Sequence, residues 1–139
     1  MCNFLERQRK FAEIVEMIYT TQAIHQAVVN IPVNNGAIEN RETRVDLARL
    51  EYGNKISILS SDYFLDNACT GLAHLRIIKI VEIVAIATGE FIQSEFVGLR
   101  DAQGQLSQDA WKARYGLAVG SLLGAGCQGA MEEDKQVVA

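Results

Sequence analysis

The chain has 139 residues, of which 49% are apolar and only one is proline, and it carries a formal net charge of −4. That length fits one domain, residues 1–139, with a core of its own, and the mild, mixed acidity leaves no basic footprint for nucleic acid. Long stretches free of turn residues predict an all-α protein of about four main helices.

Cys2, Cys69 and Cys127 are odd in number and widely spaced, with no Cys-x-x-Cys pair. They fit a reducing compartment better than a disulfide framework or a zinc site. Glu6 to Lys10 falls where the apolar core of a signal peptide would stand, and Glu6, Glu13 and Glu16 interrupt the basic residues that a mitochondrial presequence would need.

The first element reads as a helix from Phe4 to about Asn30. Phe11, Ile14, Val15, Ile18, Gln22, His25 and Val29 recur at helical spacing, with Lys10, Glu13, Glu16 and Thr20 on the other side, and Pro32 ends the run. Val33 to Arg44, containing Asn34, Asn35, Gly36 and Asn40, reads as a surface loop. A short charged element, Thr43 to Glu51, leads from it to Gly53.

Gly53 is expected to break that element and Asn54 to cap a central helix reaching Leu72. Ile56, Leu59, Tyr63, Ala68, Leu72 and Leu75 keep the helical period, and the small residues Ser57, Ser60 and Ser61 allow close packing on several sides. The helix is too apolar to stand alone. Asp62 and Asp66, one turn apart, read as capping, paired or water-facing carboxylates, with a two-carboxylate metal site as the alternative. His25, on a mainly apolar helix, reads as a hydrogen-bonded core histidine.

Gly71 is a mild break, and Arg76 to Gly98 reads as a further helix. Its β-branched segment IIKIVEIVAIATGEF has strand propensity, but its length without a turn decides for helix. Lys79, Glu82 and Glu90 occupy a narrow part of its circumference, so most of it is expected to lie against other helices or another chain. His74, near a helix end, complements the dipole there. Gly98 to Ser107, holding Gly104, reads as a polar loop.

The last helix is predicted from Gln108 to Met131, with Trp111 and Tyr115 packing at i, i+4 and a frayed tail from Glu132 to Ala139. No charge falls between Arg114 and Glu132. That interval is slightly short for a membrane span, and Gly116, Gly120, Gly124, Gly126 and Gly129 dilute it; their Gly-x-x-x-Gly spacing predicts close helix contact instead.

The run from Gly53-Asn54-Lys55 through Asp62-Tyr63-Phe64-Leu65 to Ala68 resembles the Gly-Asn-Lys-apolar-Leu-small-Gly-Asp-aromatic-Leu-Leu-x-x-Ala segment of the long-chain trans-isoprenyl diphosphate synthases. Ser61 stands where that family usually has glycine. Gly89-Glu90-Phe91-Ile92-Gln93 matches the family's Gly-Glu-x-x-Gln pattern, and the resemblance runs roughly from Arg9 to Met131, the middle of a family subunit. It implies a partial isoprenoid-synthase bundle.

The departures bear on chemistry. The family motif His-Asp-Asp-x-x-Asp is matched by His25-Gln26-Ala27-Val28-Val29-Asn30, with all three carboxylates replaced. In the family they hold magnesium ions that bridge to an allylic diphosphate. Magnesium prefers hard, anionic oxygens; the amides of Gln26 and Asn30 bring no charge and Ala27 no donor. A diphosphate-binding Lys-Thr pair is matched by Ala118 and Val119, with Arg114 one turn earlier as a substitute or, more simply, a solvated cation. Arg41 and Arg44 lie near the place of the family's paired arginines but are not adjacent. The second acidic motif and the isopentenyl diphosphate site find no match.

The resemblance is strongest to the family's non-catalytic subunits. It implies a chain that binds no cofactor itself and joins a catalytic long-chain prenyl diphosphate synthase subunit, which carries the magnesium, in a hetero-oligomer making the polyprenyl tail of ubiquinone in mitochondria. Ile18, Thr21 and Gln22, one and two turns before the acidic motif, would border the prenyl chain. A helical scaffold or truncated relic without isoprenoid activity, and a divergent self-sufficient prenyltransferase, are the alternatives.

Overall fold

The computed structural model describes residues 2–30, 41–100 and 104–138. They form α1 (Cys2–Gln26), α2 (Arg41–Leu75), α3 (Ile78–Gln93), α4 (Gln108–Tyr115) and α5 (Ser121–Val138). A 3-10 turn, Ser94–Phe96, extends α3, and a π segment, Gly116–Gly120, joins α4 to α5 without a break. The expectation of an all-α bundle with about four main helices holds.

The apolar period read along α1 faces the core, where Phe11, Ile14 and Ile18 are buried. They meet Ala68, Leu72 and Leu75 of α2, Ile80, Ile83, Val84 and Ala87 of α3, and Leu122 and Ala125 of α5. Contacts fix α2 antiparallel to α1. Asn54 meets Val29, Thr21 meets Ser61, and Ile14 meets Gly71.

Three close approaches use small residues. A Cβ on Gly71 would lie 2.9 Å from Ile14, and one on Gly129 would strike the ring of Phe11. Ser61 is fully buried, with its hydroxyl folded back onto Ile58 O at 2.8 Å and its own carbonyl accepting from Thr21 at 3.3 Å. Serine therefore fits this contact without presenting a free polar group. The predicted Gly-x-x-x-Gly stripe is not the packing face: added Cβ atoms on Gly116 and Gly124 meet nothing within 4 Å, and the crossing points are Gly126 and Gly129.

Several expected boundaries move. α1 ends at Gln26, not Asn30, closing with i→i+3 bonds from Ala27 N to Ile24 O and Val28 N to His25 O. Pro32 and the predicted loop at 33–40 lie outside the described residues. Gly53 breaks nothing: α2 runs through it from Arg41, absorbing the charged element and the first residues of the predicted central helix. Asn54 is an internal helical residue whose amide clasps Val29, accepting from its N at 3.0 Å and donating to its O at 2.7 Å. The cost of one helical glycine, about 1 kcal/mol, is small beside the packing at the C-terminal half of α2.

Gly71 also lies within α2, which stops instead at Arg76 in a left-handed conformation with φ 57°. α3 then starts at Ile78, and the 3-10 turn carries the helical course to Phe96. In the loop before α4, Gly104 (φ 76°) allows the turn that pairs Arg100 with Leu106, and Ser107 caps α4 by accepting from Ala110 N. His74 lies in the last turn of α2, and the Trp111 and Tyr115 rings pack 4.9 Å apart. The tail from Glu132, expected to fray, continues α5 to Val138.

Burial is one-sided on two helices. No described side chain from Arg44 to Ser60 is buried, so the first half of α2 projects beyond the core. Most of α3 is expected to lie against other helices or another chain; here Ile80, Ile83, Val84, Ala87 and Phe91 are buried, while Ile78, Val81, Ile86 and Ile92 are exposed. No helix among the described residues is long and apolar enough to cross a membrane.

Candidate functional site

The last turn of α1 carries Gln26 to the 3-10 turn after α3. Its amide donates to Glu95 Oε1 at 2.6 Å. The other oxygen of Glu95 accepts from Arg114 Nη2 of α4 at 3.1 Å, in a pair whose side chains are only 35% and 27% exposed. One carboxylate thus ties three elements together.

These groups form the polar end of a cavity of about 470 Å³ lined also by Tyr19, Ala23, Phe91, Ser94, Tyr115, Ala118 and Val119. Two sequence-derived sites converge here, because Gln26 of the altered acidic motif and the Ala118-Val119 pair share this cavity. Arg114 is more than a solvated surface cation: it is half-buried and paired. Tyr19 and Val119 also line an apolar groove of about 480 Å³ between α1 and α5, walled by Ala12, Val15, Leu122, Leu123 and Gly126. The polar cavity and the apolar groove thus share Tyr19 and Val119.

The other candidate residues separate. His25 points to the α2 side of α1, half-exposed, with Nε2 3.8 Å from Asp62 Oδ1, so it is a surface partner of that carboxylate and not a core histidine. Asp66 is exposed. Ala27 lies in the turn after α1, and Asn30 lies beyond it, exposed and outside any helix, so the face expected at Gln22, Gln26 and Asn30 stops at Gln26. Ile18 and Thr21 are buried against α2, and Thr21 also donates to Met17 O at 2.9 Å. The face of α1 that borders the groove is Ala12, Val15 and Tyr19, with Gln22 half-buried beside it.

Of the Gly-Glu-x-x-Gln residues, Glu90 accepts from Ser121 in the α3–α5 cleft, Gln93 is exposed, and Gly89 is half-buried. Gly53 and Lys55 are exposed on the projecting part of α2. Glu95 is the residue that sequence reasoning missed. Its signal is that it is the one carboxylate between Glu90 and Asp101, but its partners lie 69 and 19 positions away.

The donors in the cavity do not suit magnesium. Glu95 is the one carboxylate among the described lining residues, and it is committed to Arg114 and Gln26; amide oxygens supply no charge. Among the described residues no group of three or more His, Cys, Asp or Glu side chains could hold a metal ion. What the arrangement offers is a charge-balanced polar end and an apolar trough.

The chain is 35% identical over 130 residues to the human all trans-polyprenyl-diphosphate synthase PDSS2, covering 90% of this chain and 31% of that protein. It is 33% identical over 125 residues to the decaprenyl-diphosphate synthase of Dictyostelium discoideum, covering 88% and 25%. A probable mitochondrial hexaprenyl pyrophosphate synthase of Neurospora crassa is 32% identical over 111 residues, covering 78% and 23%. The chain thus spans a third or less of the length of these relatives. No protein-family model and no solved structure matches it. The resemblance read from the motifs, to a part of such a synthase, is borne out.

Proposed function

We propose that this chain, similar over most of its length to part of the trans-polyprenyl diphosphate synthases, works as a non-catalytic subunit of a heteromeric prenyltransferase of the decaprenyl type. The observation that carries the reading is an apolar stripe on α2. Val45, Tyr52, Ile56, Leu59 and Tyr63 stand at intervals of seven, four, three and four residues, all exposed, along about 27 Å of helix. Such a seam is the surface of a helix that packs on another subunit. Ile78, Val81 and Ile86 add a second apolar face on α3.

The site supports the non-catalytic part. With Gln26, Ala27 and Asn30 in place of carboxylates and Glu95 paired with Arg114, the described lining of this cavity offers no uncommitted carboxylate to hold magnesium against a diphosphate. In this reading the magnesium belongs to the catalytic partner, and this chain contributes interface and apolar wall. The wall is Ala12, Val15 and Tyr19. A mitochondrial location, supported by the naming of the Neurospora relative as mitochondrial, and a role in the ubiquinone tail belong to the same proposal.

The test is co-expression with a catalytic long-chain prenyl diphosphate synthase subunit, then pull-down and product analysis from allylic and isopentenyl diphosphates. Co-purification with raised activity, and none from the chain alone, supports the reading. Turnover by the chain alone overturns it in favour of a self-sufficient enzyme, and failure to associate overturns it in favour of a helical scaffold or relic. Product length is probed at Val15 and Tyr19, because Ile18→Phe would overpack the α1–α2 contact and test folding instead.

A further inference from the structure

The exposed seam of α2 carries charges as well as apolar groups. The heptad places marked by Tyr52, Ile56, Leu59 and Tyr63 continue to Arg49 on one side and Asp66 on the other, and all six residues are exposed. Ser61 and Ala68, two residues after Leu59 and Asp66, stand on the opposite side of the helix and are fully buried. The seam thus faces away from the core over about 26 Å, from Arg49 to Asp66.

Its order is symmetric. From Arg49 the steps are three, four, three, four and three residues, so the string of cation, tyrosine, aliphatic, aliphatic, tyrosine and anion reads alike from either end, with the charge reversed. Consider a second such helix laid antiparallel about a two-fold axis between Ile56 and Leu59. Ile56 then meets Leu59 of the other copy, Tyr52 meets Tyr63 and Arg49 meets Asp66, and every pairing occurs twice. Competing arrangements are penalised. Parallel helices in register set Arg49 against Arg49 and Asp66 against Asp66, and an antiparallel slip of one heptad puts a charge against Leu59 or Ile56.

Both charged residues are able to make the contact. Asp66 makes no ion pair among the described residues. Arg49 meets Asp46 on its own helix at 3.6 Å, in a pair whose side chains are 77% and 70% exposed, so its guanidinium keeps donors for a second carboxylate. Pairs of this kind add little affinity but fix register and direction.

We propose that a second copy of this chain packs on α2, the two helices antiparallel and registered by Arg49 with Asp66 at both ends. The homodimer is the form that the chain takes without a catalytic partner, which the subunit reading puts on the same seam and which would displace the second copy. Self-association does not rest on that reading: failure to co-purify leaves the homodimer untouched, and a chain that stays monomeric alone leaves co-purification untouched.

Sedimentation velocity of the full chain alone tests it. One helix seam is small beside a standard interface, so the chain should be monomeric at about 1 µM and largely dimeric at about 200 µM. Asp66→Arg and Arg49→Asp, each of which sets like charges opposite one another, should each weaken the dimer about tenfold or more. The double variant carrying both changes should restore it, because the opposite charges then meet again in the same antiparallel register. Both positions are exposed, so thermal melts of all three variants at about 1 µM should match wild type, which separates the interface from folding. Three outcomes overturn the proposal. They are a monomer at every concentration, a dimer indifferent to both single variants, and a double variant as weak as either single one. The first of these, with binding to the catalytic subunit intact, would assign the seam to that partner alone.

Discussion

Asn54 shows how one side chain changes role with context. Local sequence makes it a helix cap; in the folded chain its amide holds both backbone groups of Val29, just after α1 has ended. Asn54→Ala is expected to lose about 1–2 kcal/mol of stability and to remove the hydrogen-exchange protection of the Val29 amide, with the core unchanged. Glu95 works similarly for the cavity, accepting from Gln26 and Arg114 together. Glu95→Gln should lower stability by about 1 kcal/mol in thermal melts, and the difference from wild type should shrink in moderate salt because Glu95 and its hydrogen bonds are exposed to solvent.

At the scale of elements, the continuity of α2 is the main revision to the local reading. If Gly53 sits inside a helix with nothing within 4 Å of an added Cβ, Gly53→Ala should stabilise the chain by about 1 kcal/mol; a loss of stability would mean that the helix breaks there after all. Gly129 is the contrasting case. Its Cβ would lie 2.4 Å from the buried Phe11 ring, so Gly129→Ala should cost about 1–3 kcal/mol although alanine is the better helix former. Denaturant titration of the two variants side by side measures both signs. Identical residue types on similar helices thus differ only by what the neighbouring helix brings against them.

The whole molecule combines a well-packed end with an open one. The core gathers around Phe11, Leu72, Ile80 and Leu122, while the first half of α2 carries its apolar seam into solvent. Leu59→Asp changes an exposed residue, so the chain alone should keep its stability to within about 0.5 kcal/mol. In the co-expression experiment the same variant should abolish association with the catalytic subunit, read by sedimentation of the purified material. Retained association would remove the α2 seam from the interface.

By itself the sequence determined that this chain is helical, because a 3.6-residue apolar period over twenty or more residues is a local property with one physical outcome. It also determined that Gln26, Ala27 and Asn30 bring no carboxylate to their positions, since no fold gives a charge to an amide or a methyl group. Tertiary structure decided the rest. Periodicity names an apolar face but not what covers it, so Leu72 is buried while Leu59, on the same helix, is exposed. Helix ends followed long-range contacts such as Asn54 with Val29, which outweigh the small local cost of a glycine. The Gln26–Glu95–Arg114 cluster exists only because helix packing brings together groups that chain distance would leave apart.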